Sequence, residues 1–151
     1  MEWFNIFGLI YIAVIMIPNI VFALKCKGGF GNKPVSRIIE IAEQIGRFGC
    51  FGFMIINIPG TYFGWRSDAA FAAYLVADTV LTALYCLIWI ICFRKNSVFR
   101  ALALSIIPSA LFLFSGIVSR SVLLTASAAV FAPSHIYISC KNCICQGKVD
   151  T

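Results

Sequence analysis

Charged residues divide the chain into long apolar runs. Trp3 to Leu24 is 22 residues without a charge, and Phe48 to Trp65 is 18. Ala69 to Phe93 is 25 residues broken only by Asp78, Ala101 to Ser119 is 19, and Ser121 to Cys140 is 20. A helix needs roughly 17–25 apolar residues to cross about 30 Å of hydrocarbon, and lipid leaves the backbone no hydrogen-bond partner but itself. The pattern therefore predicts an all-α, polytopic transmembrane bundle of five helices in a single membrane domain. The predicted spans lie near residues 3–24, 41–63, 69–93, 101–118 and 121–139. Only Ser119, Arg120 and Ser121 separate the last two, so a shorter hairpin is the alternative there. Residues 140–151 read as a short cysteine-containing tail, and the five runs show no internal repeat.

Composition fixes the class of environment. The chain is 61% hydrophobic and 12% charged, with a mean hydropathy of +0.94. Soluble domains carry about 25% charged residues, so a water-soluble fold of this length would lack the side chains to cover its surface. The bilayer is the expected partner. A net charge of +6 could suggest nucleic acid, but the basic residues sit in short clusters between apolar runs, where they act as a topology signal. Lys25, Lys27, Lys33, Arg37, Arg94, Lys95, Arg100, Lys141 and Lys148 fall on one side, and Arg66 and Arg120 on the other. That bias predicts an outside N-terminus and an inside C-terminus, with Trp3 and Trp65 at the outer interface. The first run is too long, and Glu2 too acidic, for a cleaved signal peptide; Lys25 before Cys26 argues against a lipoprotein site. On this threading Cys26, Cys140, Cys143 and Cys145 face a reducing compartment and Cys50, Cys86 and Cys92 lie in helices, so no disulfide is expected.

Few positions are chemically out of place. From Pro34 to Asn57 the spacing predicts one helix, with Arg37, Glu40, Gln44 and Arg47 on a polar stripe and Glu43 beside it, four residues before Arg47. The stripe is either a solvated face or the wall of a vestibule built from Glu40, Glu43 and Arg47. Gly46, Gly49 and Gly52 follow at intervals of three, a pattern that lets helix backbones approach closely in lipid. Pro18, Pro108 and Pro133 are expected to bend their helices. Asp78 stands inside the third run, where an aspartate costs roughly 2.5–3.5 kcal/mol and needs an interior partner. Arg120 is the first candidate counter-ion and Arg66 the second. Thr79, Thr82 and Tyr85 follow Asp78.

The tail pattern Cys140, Cys143, Cys145 has the spacing to meet a soft metal, with Cys26 or His135 completing the set, but a single CxxC is a weak metal signature. The stretch Gly28 to Pro34 lacks the spacing of a phosphate loop. His135 is the chain's single histidine, and no nucleophile spacing accompanies it, so neither a catalytic constellation nor a cofactor is expected.

Ile17-Pro18-Asn19-Ile20, Ala23-Leu24-Lys25, Asn32-Lys33, Glu40 and Glu43-Gln44-Ile45-Gly46-Arg47-Phe48-Gly49-Cys50 resemble a group of small hydrophobic proteins of low-GC Gram-positive bacteria, described only as uncharacterised membrane proteins. The resemblance is confined to residues 1–60. It implies a bacterial plasma membrane and transfers no activity, substrate or site. The leading expectation is an accessory or regulatory protein acting by helix contact, with a membrane-protein partner or a second copy of itself. The alternative is a small ion- or proton-coupled transporter or channel using Asp78, and a membrane-bound enzyme comes third. An open glycine-lined groove would favour contact, a polar cavity reaching Asp78 would favour transport, and His135 beside Cys140 or Cys143 would favour an enzyme.

Overall fold

In a computed structural model, which describes residues 3–25, 35–93 and 98–146 (side chains to 142), the chain forms five helices. They are α1 (Ile6–Lys25), α2 (Arg37–Ile55), α3 (Asp68–Cys92), α4 (Val98–Val118) and α5 (Val122–Gln146). Of these, α1, α3, α4 and α5 (over Val122–Asn142) are long and apolar enough to cross a membrane. The helices close into a ring in the spatial order α1, α3, α4, α5, α2, with α2 also touching α4 across the middle.

Burial explains why this bundle belongs in lipid. Ile38, Leu24, Phe48 and Ile90 are exposed, while Asp78, Glu43, Ser105, Ser109 and Ser115 are buried. A soluble domain places its charged side chains outside; here apolar side chains form much of the outer face and polar ones help tie the helices together. Between them runs an aromatic and aliphatic core that includes Ile15, Phe22, Met54, Tyr74, Leu111 and Phe112.

The second helix fits the single helix expected between Pro34 and Asn57 but not the expected span 41–63. It starts at Arg37 and stops at Ile55, where the apolar run predicted a span to residue 63. Hydropathy does not register turn chemistry. Ile56 turns extended, Pro59 follows, and Gly60 and Gly64 take φ of +87° and +72°, a region that favours glycine. The resulting loop of residues 56–67 organises one pole of the bundle. Its start pairs with the chain before α1, through Asn5 N–H to Ile55 O (2.7 Å) and Asn57 N–H to Trp3 O (2.8 Å). Its middle pairs with the α4–α5 turn, through Val122 N–H to Thr61 O (2.9 Å) and Phe63 N–H to Arg120 O (3.3 Å).

That turn shows that the last two runs are separate helices. Ser121 N–H reaches back to Gly116 O (2.9 Å) and Arg120 N–H to Ile117 O (3.2 Å), the bond pair of a Schellman cap. Arg120 occupies the left-handed position, φ +55°, where glycine is usual. Gly116 lies so close to α5 that a Cβ there would stand 2.9 Å from Thr125 N. At the far end, α5 continues to Gln146, so the residues expected to form a tail begin as helix. Arg100 closes the opposite pole. Its guanidinium donates to the last carbonyls of α3, Cys92 O and Phe93 O (both 3.3 Å), and lies 5.1 Å from the Phe22 ring centroid.

Candidate functional site: two buried carboxylates

Asp78 lies ten residues into α3, about 15 Å along the helix from its start, and is fully buried, at 0% exposure. It meets neither arginine expected as its counter-ion. Arg120 sits in the pole turn with its guanidinium 5.5 Å from the Phe63 ring centroid, and Arg66 is exposed before α3. The partner is Ser115 of α4, whose hydroxyl donates to Asp78 Oδ2 at 2.5 Å and also lies 2.7 Å from its own helix carbonyl, Leu111 O. A hydroxyl carries one hydrogen, so a proton on the Asp78 carboxyl satisfies both contacts, and an ionised carboxyl leaves them sharing one. Asp78 Oδ1 and Thr82 Oγ1, one turn further along the same face, are buried and have no hydrogen-bond partner among the described residues. Neither of the two clefts described below includes Asp78 in its lining.

The second carboxylate splits the predicted polar stripe. Arg37, Glu40 and Gln44 are exposed, whereas Glu43 is 3% exposed and faces α5. The four-residue spacing places Arg47 on Glu43 Oε1 as an ion pair, and His135 Nδ1 lies 2.9 Å from the same oxygen. The His135 ring stacks on Phe131, centroids 4.6 Å apart with planes at 19°. So Glu43 and Arg47 come together with His135, and Glu40 stays apart from them. The arrangement is a charged tie between α2 and α5. A carboxylate-oriented imidazole is half of a general-base pair; here the carboxylate contact is made by Nδ1, so a nucleophile would have to meet Nε2. Among the described residues no three His, Cys, Asp or Glu side chains gather at metal-binding distance. Cys140 is half-buried; Cys26 and the side chains of Cys143 and Cys145 lie outside the described residues.

Glycines decide how close α5 comes. A Cβ on Gly46 would stand 2.7 Å from Phe131 N, and one on Gly49 would strike the Ser127 side chain. Gly52 faces open space, so the expected three-glycine seam is a two-glycine seam. The reason is angular: α5 follows α2 for two turns past Glu43, and by Gly52 that direction has rotated off the contact. The seam is filled within the bundle and is not left open for a partner, so the glycines lend the expected helix contact with a partner no support.

Several ties were not anticipated from the residues. Tyr11 Oη lies 3.0 Å from Thr79 Oγ1 and donates to Leu75 O (3.1 Å), Tyr85 donates to Asn19 Oδ1 (2.9 Å), and Asn5 donates to Tyr74 Oη (3.2 Å). Together they ladder α1 to α3. A tyrosine or asparagine recurring within apolar runs was the available signal, since lipid offers such groups no water. Toward the α3 C-terminus the α1–α3 seam opens into an apolar groove of about 470 Å³, with Ile17, Pro18, Val21, Cys86 and Ile90 in its wall and Lys25 at its mouth.

No protein-family model matches this chain, and neither a curated protein nor a solved structure is detectably similar to it.

Proposed function

We propose that this chain is a non-enzymatic integral membrane protein that acts by contact within the bilayer, as an accessory or regulatory subunit. The observation that carries the reading is where its polar chemistry goes. Asp78 is tied to Ser115 across α3 and α4, Glu43 to His135 across α2 and α5 with Arg47 beside it on α2, and Asp78 is closed to solvent. What the bundle offers outward is apolar relief, and the α1–α3 groove is an apolar concavity into which a partner helix would pack. The resemblance of residues 1–60 and the skew of basic residues support a bacterial plasma membrane with the Trp3 pole outside.

A second reading, proton- or ion-coupled transport through Asp78, has one observation in its favour: Oδ1 of Asp78 and the Thr82 hydroxyl are buried without partners among the described residues. Proteoliposome flux separates the two. Contact predicts no proton or potassium flux above empty vesicles for wild type and Asp78→Asn alike, with a photo-crosslinker at Ile17 joining a second protein in native membranes. Flux in wild type that disappears in a folded Asp78→Asn protein would sink the contact reading and establish transport.

A further inference from the structure

Arg66 and Arg120 are the two basic residues that the charge pattern leaves alone at the Trp3 pole. They are 54 positions apart, yet they line the same cleft, about 570 Å³, between the start of α3 and the end of α4. Ala70, Ile117 and Val118 form the rest of its wall. Both arginines are exposed, and among the described residues neither forms an ion pair with a carboxylate. The nearest carboxylate in sequence, Asp68, is exposed in the first turn of α3 and is not part of the wall. Arg120 contributes through its left-handed turn position, with its guanidinium over Phe63.

A guanidinium is a rigid fork of donors that matches phosphate oxygens in pairs, and two of them without carboxylates make a cleft selective for an anion. The apolar side of the same cleft suits the first carbons of an amphiphile: Ile117 is 60% exposed, facing away from the bundle just below the arginines. We propose that this cleft binds a phosphate-bearing group held jointly by Arg66 and Arg120. A phospholipid headgroup at the membrane interface and a soluble phosphate ester share that chemistry.

The test uses the full chain, purified in dodecyl maltoside after exchange through vesicles of phosphatidylglycerol and phosphatidylcholine, with native mass spectrometry counting retained lipid. Wild type keeps one phosphatidylglycerol per chain. Arg66→Gln weakens retention about tenfold and Arg66→Gln/Arg120→Gln about a hundredfold, as loss of one and two charge-assisted forks implies. Arg66→Lys/Arg120→Lys, which keeps charge and loses the fork, falls between, and it decides the matter should the glutamine pair fail to fold. Arg37→Gln, exposed at the start of α2 and remote from the cleft, leaves retention unchanged. Titration of lipid-free protein with inorganic phosphate supplies the second arm. Arginine-dependent phosphate binding with arginine-independent lipid retention assigns the cleft to a soluble ester. The proposal is overturned if neither ligand responds to the arginine variants, or if Arg37→Gln lowers retention as much.

Discussion

The three glycines of α2 have the same spacing and different surroundings, so they predict a graded response to one methyl group. At Gly46 the added Cβ meets backbone: it would stand 2.7 Å from Phe131 N and 2.8 Å from Phe131 Cα, where ordinary contact begins at 3.4 Å. Helix α5 must therefore retreat by about 0.7 Å, which also stretches the contact between Glu43 and His135 one turn away, now 2.9 Å. Forced overpacking of this kind costs about 1–3 kcal/mol, against a gain of about 0.5–1 kcal/mol from replacing glycine by alanine within a helix. Gly46→Ala should lose about 1–2 kcal/mol net. At Gly49 the obstacle is the Ser127 side chain, with its Cβ 2.9 Å away. Gly49→Ala should be milder, and Ser127→Gly should restore it. At Gly52 nothing lies within 4 Å, so Gly52→Ala should gain about 0.5–1 kcal/mol from the helix preference alone. The assay is reversible unfolding in mixed dodecyl maltoside and dodecyl sulfate micelles, followed by tryptophan fluorescence. Equal damage at Gly46 and Gly52 would refute the reasoning, because it would mean that all three glycines serve a surface outside this bundle.

Three further outcomes follow, two from the buried polar ties and one from the exposed pole turn. Ser115→Ala should cost about 1–3 kcal/mol in the same assay, because it strips a buried carboxyl of its partner, whereas Asp78→Asn should lie close to wild type, since the amide can donate to Ser115 and free the hydroxyl for Leu111 O; the opposite order would discredit the Asp78–Ser115 tie. Arg47→Ala and His135→Ala should each cost about 1–1.5 kcal/mol, since the other partner remains, but the double variant should exceed their sum and approach the roughly 3–5 kcal/mol of an uncompensated buried charge. Strict additivity in that double-mutant cycle would count against a shared Glu43 site. Arg120→Gly should leave the thermal midpoint unchanged or raised, because the left-handed position at φ +55° costs a side chain about 1–2 kcal/mol and an exposed cation–ring contact returns about 0.5–1 kcal/mol; a clear drop would show that the Phe63 contact holds the pole together.

Run length and charge spacing were enough to read five helices and a lipid environment from the sequence, because apolar content over 20 residues is a local property and the bilayer rewards it directly. The same local logic placed Asp78 in the interior, and put Glu43 in register with Arg47. It failed wherever the partner was remote. The expected span to residue 63 overran α2 because Ile56, Ile58 and Phe63 extend the uncharged apolar run while Gly60 and Gly64 turn the chain. Arg120 looked like the counter-ion to Asp78 because both were charges without a local mate, yet about 15 Å of helix separates Asp78 from that pole.

What the sequence by itself determined is the solvent, the number of helices and the short list of residues that lipid cannot tolerate unpaired. Tertiary structure alone decided which partners they meet: Ser115 for Asp78, His135 for Glu43, Phe131 against Gly46, and one cleft shared by Arg66 and Arg120. The physical reason is that helix periodicity orders contacts only within about four residues. Every contact beyond that depends on which helices lie side by side, and in lipid that choice is made by close packing and buried hydrogen bonds among residues far apart in the chain.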